Sequence, residues 1–442
     1  MQSDAAAPQV GKALPNGQSN ALRTTSERMQ STAHLNHEAL SPSQLRSIFD
    51  SLTKVIEPKI SDVEGGRRAA EIVAWCNTVN QANRYDCWLI MSEQFMADTA
   101  RGKKALEKYA AAVGTIDEAV AEVRYRQATV SPRRRLLQRF SALPEGIRFL
   151  VDMRSAMVPF LHADQRLHAL DAEMEYMFST WFEVGFLELR RLSWDSPASL
   201  IEKLIQYEAV HDIKSWADLK NRLDSDRRCY GFFHPSLPNE PLIFVEVALL
   251  SDIATSIAPL LDETAADIDP NKASVAIFYS ISNTQVGLKG VSFGDSLIKR
   301  VVETLKEEFP KLRTFATLSP MPGFRNWLHK KEPALTSFLE NTDLAELPAA
   351  NAYRKKISKH AATYLAKQLK DGKPLDPVAR FHLGNGARVE RLNWAADQSV
   401  KGIKQSLGLM VNYLYDLKKL DMHRDMLHEG SIPISNEIEK LL

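Results

Sequence analysis

The chain has 442 residues with 56 basic against 55 acidic side chains, long enough for two or three separately cored domains but without the charge excess that binds nucleic acid. Basic runs such as Arg133-Arg134-Arg135 are short, so an anionic ligand must be held locally. Three cysteines, Cys76, Cys87 and Cys229, without CxxC spacing argue against a disulfide framework or zinc cluster and for a reducing, cytoplasmic setting.

Residues 1–38 are rich in Ala, Ser, Gln and Asn with scattered Pro and Gly, a composition that buries little and predicts a disordered segment. The segment has no hydrophobic signal-peptide core, and its three basic residues form no amphipathic transit pattern. No apolar run in the chain approaches the roughly 20 residues of a membrane span. From Ser41 to Trp194 the sequence reads as helix after helix. Ser41-Pro42-Ser43-Gln44 has the form of a capping box with proline at the first helical position, and Ser131-Pro132 and Pro144-Glu145 mark further starts. Apolar residues recur at three and four spacing, as in Leu45, Ile48, Phe49, Leu52 and Val55, or Leu167, Leu170, Met174, Met177 and Phe178. These stripes are core faces of a helical bundle. No polar ligands recur at the same spacing, so no catalytic constellation is expected in this half.

Near Trp194 the texture changes. Ser196-Pro197 opens one more helix, and strand-like runs follow at Cys229–His234, Leu242–Leu249 and Val275–Ser282. After a loop from Asn283 to Gly290, a helical pattern runs from Phe293 to Phe309, and Arg313–Leu318 reads as another strand. Strand, helix and strand in this order imply a parallel pair with a right-handed crossover, hence an α/β domain in the second half.

Gly290-Val291-Ser292-Phe293-Gly294 satisfies GxSxG, the nucleophile-elbow pattern. In an elbow, however, the strand runs straight into the serine, whereas Gln285, Gly287, Lys289 and Gly290 intervene here. The stretch is neither a Walker A loop nor GxGxxG. It also reads as a glycine-rich anion cradle: Gly287, Gly290 and Gly294 let backbone approach a ligand, the helix start offers unpaired N–H groups, and Lys289, Lys299 and Arg300 add charge. A solvated surface turn is the plain alternative. Ligands of open α/β sheets lie beyond the carboxyl ends of the strands, and the next strand ends at the same edge in Leu318-Ser319-Pro320-Met321-Pro322. Ser319, on a backbone stiffened by two prolines, is therefore a better candidate than Ser292.

His382, in Phe381-His382-Leu383-Gly384-Asn385-Gly386, lies between an extended run and a turn; it is a candidate proton donor or a hydrogen-bonded core group. His423 and His428 are five apart, off the spacing that places two ligands on one helix face, and no HExxH occurs, so no metal is expected. Tyr413 and Tyr415 alternate within the strand-like Leu409–Leu417, where one face carries both and ordinary packing is the simpler reading. Asp226-Arg227-Arg228-Cys229-Tyr230 reads as surface and Trp394 as core.

Five strings, RRCYGFFHPSLPNEPLIFVEVAL, FYSISNTQVGLKGVSFGDSLIKRVV, LSPMPGF, FHLGNGARVERLNWAAD and GLMVNYLYDL, occur in the order found in malonyl-CoA decarboxylases, and the chain resembles that family from Arg227 to Leu417. The resemblance implies an α+β two-domain protein: after residues 1–38, an all-α helical bundle at 39–190, expected to mediate homo-oligomerisation, and a catalytic α/β domain at 191–442 similar to the GNAT acyltransferase superfamily. It implies malonyl-CoA as substrate and acetyl-CoA and CO2 as products, with no cofactor beyond the CoA thioester. The family's catalytic serine and histidine fall on Ser319 and His382 and a site tyrosine on Tyr415; its CoA-contacting turn falls on Lys289, Gly290, Val291, Ser292, Phe293, Gly294 and Asp295, with Gln285 and Gly287 beside it. Some members end in a peroxisomal Ser-Lys-Leu signal; this chain ends Glu439-Lys440-Leu441-Leu442, and a cytoplasmic enzyme is expected. Competing readings are a CoA-dependent acyltransferase, which needs a second pocket for an amine, and a noncatalytic CoA-binding protein.

Overall fold

The structure, a computed structural model, describes residues 39–265, 268–291, 297–339, 346–348 and 351–442. The expected disordered segment 1–38 and the candidates Ser292, Phe293, Gly294 and Asp295 lie outside the described residues. Two compact units divide between Met177 and Phe178. Residue 190, where the change of texture suggests a boundary, lies inside a strand, Glu188–Leu192.

The first unit is helical: α1 Pro42–Val55, α2 Asp62–Thr78, α3 Gln81–Gln94, α4 Thr99–Ala112, α5 Glu118–Thr129, α6 Pro132–Ser141 and α7 Gly146–Met157, followed by α8 His168–Trp181, in which the division falls. The capping box forms as expected: the Gln44 N–H donates to Ser41 Oγ at 3.4 Å and the Ser41 N–H to Gln44 Oε1 at 2.9 Å. Leu45, Leu52 and Val55 of the first stripe are buried, as are Leu167, Leu170, Met174 and Met177 of the second. By contrast α4 buries no residue and α5 buries only Ala128; the two helices form a hairpin closed by stacked Tyr109 and Tyr125.

The second unit is built on a mixed sheet with β1 Glu188–Leu192, β2 Arg227–His234, β3 Leu237–Leu250, β4 Val275–Asn283, β5 Thr314–Thr317, β6 Ser319–Pro320, β9 Arg388–Asn393 and β10 Met410–Leu414, while β7 Leu369–Lys370 and β8 Lys373–Pro374 form a separate ribbon. Strand order is β1-β2-β3-β4-β5-β10-β6, with β9 also on β10. Helices used below are α9 Ala198–Tyr207, α10 Trp216–Arg222, α11 Leu297–Glu308, α12 Ala352–Lys367, α13 Pro377–Gly384 and α14 Leu420–His428. β4 and β5 are parallel and joined through α11, as the strand–helix–strand pattern implies. On α11, Leu297, Ile298, Val301, Val302 and Leu305 are buried. A helical N-terminal region followed by a mixed-sheet domain is thus the architecture. None of the described helices is long and apolar enough to cross a membrane.

Two expectations fail here. Asp226–Tyr230 is buried, not surface, because β2 is an interior strand between β1 and β3; its charges are paired, Arg227 with Asp226 at 2.7 Å and Arg228 with Glu308 at 2.6 Å. Trp394 is half-buried rather than core, with the Arg354 guanidinium over its ring.

A buried charge cluster supports the sheet from α9 and α10. Arg222 reaches Glu246 of β3 at 3.1 Å, Asp218 at 2.7 Å and the His211 carbonyl at 2.9 Å, while Glu208 accepts from the Ser280 and Ser282 hydroxyls of β4. Burial, with the neighbouring Glu208 charge, pushes the Glu246 carboxyl up to about 8, and Arg222 offsets only part of that rise. Between its ordinary 4.5 and about 8 the folded protein therefore holds a proton that the unfolded chain releases, so stability contributed by this group is lost as pH rises through that window. A Glu246→Gln variant lacks the titration. Its thermal midpoint relative to wild type should rise by at least about 2 °C between pH 6 and pH 8.5; a difference independent of pH would show that Glu246 does not titrate there.

Candidate active site

Where the β4–β5 pairing stops determines the site. The parallel register runs from Val275↔Thr314 to Phe278↔Thr317, and the Leu318 N–H still donates to the Phe278 carbonyl at 3.0 Å. Beyond that point β4 continues to Asn283, while Ser319 and Pro320 pair instead with Val411 and Met410 of β10. The strands part, leaving the peptide groups of β4 past Phe278 without a strand partner on that side among the described residues. Tyr279 is the extra residue of a bulge in β4, since Val247 pairs with Phe278 and Glu246 with Ser280.

Side chains alternate along a strand, so Thr317 and Ser319 share a face, as do Tyr413 and Tyr415. The Ser319 hydroxyl donates to Thr317 Oγ1 at 2.9 Å. His382 comes from α13. The sequence reading placed it between an extended run and a turn; it stands instead in the last turn of a helix begun by Asp376-Pro377. Asp376 Oδ1 accepts the Val378 and Ala379 N–H groups at 2.9 and 3.0 Å, and proline fills the first helical position. The Tyr364 hydroxyl of α12 donates to the other Asp376 oxygen at 3.1 Å and lies so close to Gly323 that a Cβ there would sit 2.4 Å from it. Glycine is thus required where the Ser319 segment meets the base of α13. Gly386, at φ 85°, turns the chain out of α13 against the Leu420 backbone, and its carbonyl lies 2.9 Å from His423 Nδ1.

This framework brings three of the sequence candidates together. His382 Nε2 lies 3.2 Å from Ser319 Oγ and Nδ1 lies 2.7 Å from the Tyr415 hydroxyl. Exposure is 6% at Ser319 and 3% at both His382 and Tyr415, so the chain of groups is shielded from water. Tyr413 stacks on the imidazole at 4.8 Å and 28°, and Phe278 stands edge-on to Tyr415 at 6.3 Å. Burial lowers the His382 pKa to about 3 and pushes the Tyr415 phenol well above its ordinary value. The histidine is therefore neutral at neutral pH. Among the described residues the Tyr415 hydroxyl has His382 Nδ1 as its hydrogen-bond partner, and which of the two donates depends on the imidazole tautomer.

The glycine turn is described only to Val291. A 3-10 turn, Val286–Leu288, follows the end of β4, so the strand does not run directly on toward Ser292 as an elbow requires. Gln285 is buried, its amide donating to Thr284 Oγ1 at 3.0 Å; Gly287 and Val291 are buried, and Lys289 and Gly290 are exposed, Gly290 at φ 87°. Arg300, offered above as a cradle charge, donates to the Leu187 carbonyl and sits 6.0 Å over Phe232. Sequence reasoning assigned nothing to Thr317 or Asp376 and read Tyr413 as packing. The Asp376-Pro377 helix start was a legible signal; the Thr317 hydroxyl, two residues from Ser319, was legible only once Ser319 was chosen.

Comparison with known proteins agrees with this architecture. Residues 185–442 match the family model of the malonyl-CoA decarboxylase C-terminal domain and residues 95–182 that of the N-terminal domain. A mouse protein named malonyl-CoA decarboxylase, mitochondrial, is 38% identical over 336 residues, 68% of each chain; the goose protein of the same name is 36% identical over 397 residues, 80% of this chain and 78% of its own. The crystal structure of malonyl-CoA decarboxylase from Rhodopseudomonas palustris superposes with a TM-score of 0.82 at 39% identity, covering 91% of this chain and all of that one. That from Agrobacterium vitis gives 0.81 at 39%, covering 89% and 99%. With two matched domains in sequence order and solved relatives that share the fold from end to end, the chain belongs to the malonyl-CoA decarboxylase family.

Proposed function

We propose that the protein converts malonyl-CoA to acetyl-CoA and CO2, with Ser319, His382 and Tyr415 as its reacting groups and the turn from Gln285 to Asp295 as its CoA contact. The observation that carries this reading is the buried Tyr415–His382–Ser319 chain at the parting of β4 and β5 in a member of this family. In the reaction the bond between the α-carbon and the carboxylate breaks, CO2 leaves, and the electron pair spreads over the α-carbon and the thioester oxygen. Donors aimed at that oxygen are worth about 2.7–4 kcal/mol each, and Ser319 and the peptide groups of the gap are the donors at hand. A dry pocket favours departure of neutral CO2.

The α-carbon must then gain a proton. The free enzyme holds His382 neutral because burial disfavours the imidazolium. A malonyl carboxylate entering the same pocket brings the missing counter-charge, which favours a protonated His382 in the complex. When CO2 leaves, the negative charge passes to the enolate and the proton follows it to the α-carbon, either from Nε2 directly or through Ser319. The thioester accepts the charge itself, so the step is balanced without an electron-sink group.

Homo-oligomerisation is proposed through the α4–α5 hairpin, with a second copy of the chain as occupant. Val113, Ile116, Val120 and Val123 are 58%, 98%, 51% and 53% exposed, an apolar surface that a lone two-helix hairpin does not shield.

Four measurements test these readings. Purified protein incubated with malonyl-CoA alone should yield acetyl-CoA and CO2 by chromatography and mass spectrometry; free CoA with malonate would point to hydrolysis, and unchanged malonyl-CoA would sink the assignment. Ser319→Ala and His382→Ala should each lower kcat at least about 100-fold while Ser292→Ala retains most activity. Because His382 is neutral in the free enzyme down to about pH 3, kcat/KM should show no protonation step from it between pH 5 and pH 8; a histidine step near 6.5 that vanishes in His382→Ala would contradict its buried, neutral state. Val120→Glu combined with Val123→Glu should reduce the mass seen by light scattering to that of a smaller assembly, and an unchanged mass would place the interface elsewhere.

A further inference from the structure

We infer that Thr317 is a positioning residue that turns the Ser319 hydroxyl proton away from His382, so that His382 offers the reacting centre an N–H rather than a lone pair. The inference rests on the reading of Ser319 and His382 given above. Four groups form an unbroken chain: Tyr415 O to His382 Nδ1 at 2.7 Å, His382 Nε2 to Ser319 Oγ at 3.2 Å, and Ser319 Oγ to Thr317 Oγ1 at 2.9 Å. A neutral imidazole carries one proton, so every bond in the chain donates either toward Thr317 or toward Tyr415. In the second direction the phenol proton has no acceptor among the described residues; in the first it is the threonine proton that has none. A phenol, with an ordinary pKa of about 10, is a far stronger donor than an aliphatic hydroxyl, and leaving the stronger donor unpaired costs more. The chain therefore runs toward Thr317.

Thr317 is held to receive it. The residue is fully buried; its Oγ1 also accepts the Tyr413 N–H at 3.1 Å, and its carbonyl accepts the Asn412 side-chain amide at 2.7 Å. Both contacts come from β10, so side chain and backbone of Thr317 are fixed by the strand that Tyr415 directly follows. The chemical consequence concerns which reaction the pair can perform. A nucleophilic serine gives its proton to a histidine lone pair. Here, before substrate enters, the serine proton is taken by Thr317 and the histidine gives. Thr317 thus separates proton delivery to carbon from attack on the thioester by Ser319.

The test has two parts. In full-length protein with 15N-labelled histidine and no substrate, the shifts of the two ring nitrogens of His382 should report the Nε2–H form; the Nδ1–H form would overturn the inference. Turnover then distinguishes the hydroxyl from the shape of residue 317. Valine keeps the shape and loses the hydroxyl, whereas serine keeps the hydroxyl and loses a methyl. Thr317→Ser should stay within about 3-fold of wild-type kcat and Thr317→Val should fall at least about 10-fold, with KM nearly constant in both. A role in packing alone predicts the reverse order, and Thr317→Val turnover equal to or above that of Thr317→Ser would overturn the proposal. The labelling measurement needs no turnover, so a protein that fails to decarboxylate malonyl-CoA would refute the proposed function and leave this inference standing.

Discussion

The parallel pairing between β4 and β5 holds for four residues and then stops, because the chain after Leu318 turns to β10 while β4 runs on. Were the pairing to continue, Ser319 would be one more strand residue under a closed sheet. Because it ends, a gap opens whose one wall is main chain without a strand partner among the described residues and whose other wall is the Ser319 segment. The stop is fixed from three directions: the bulge at Tyr279, the pairing of Ser319 with Val411, and the two prolines that withhold N–H groups from any longer ladder.

Burial is the second constraint and follows from the first. The residues that close the gap, Phe278, Tyr413 and the turn of α13, exclude water from His382 and keep it neutral. An isolated neutral imidazole is a poor acid. Its usefulness depends on a partner that arrives with a negative charge, and an anionic substrate meets that condition whereas water does not. The geometry that holds His382 is distributed: Asp376 ties the start of α13 to Tyr364, Gly323 admits that pair beside the Ser319 segment, and His423 secures the exit at Gly386.

Much of this organisation was legible in the sequence, and the reasons for success and failure are physical. Helix starts at Ser41, Ser131 and Ser196 carry local capping and proline signals, and the crossover from β4 through α11 to β5 follows from periodicity and chain order. Ser319 was found from strand-edge geometry, although its partner histidine was placed on the wrong kind of backbone because the Asp376-Pro377 start was not weighed as an N-cap. The burial of Asp226–Tyr230 was not legible: a run of charges looks like surface until the flanking strands and the partners Glu308 and Asp226 are known. Thr317 is held by Asn412 and Tyr413, about a hundred positions further along, and Tyr413 meets His382 from a different element, contacts that no local pattern records.

The open stretch of β4 has a further consequence for how such a site varies among relatives. Its polar surface toward the gap consists of peptide groups, which are the same whatever side chain occupies the position. Substitution along β4 by any residue other than proline can reshape the walls or tilt the strand, but it leaves these donors and acceptors in place. Ser319, His382 and Tyr415 have no such protection, since each supplies a hydrogen bond that a single replacement removes. One wall of the gap therefore keeps its hydrogen-bonding groups through most side-chain replacements, whereas the other depends on the identity of the few residues at the point where the two strands separate.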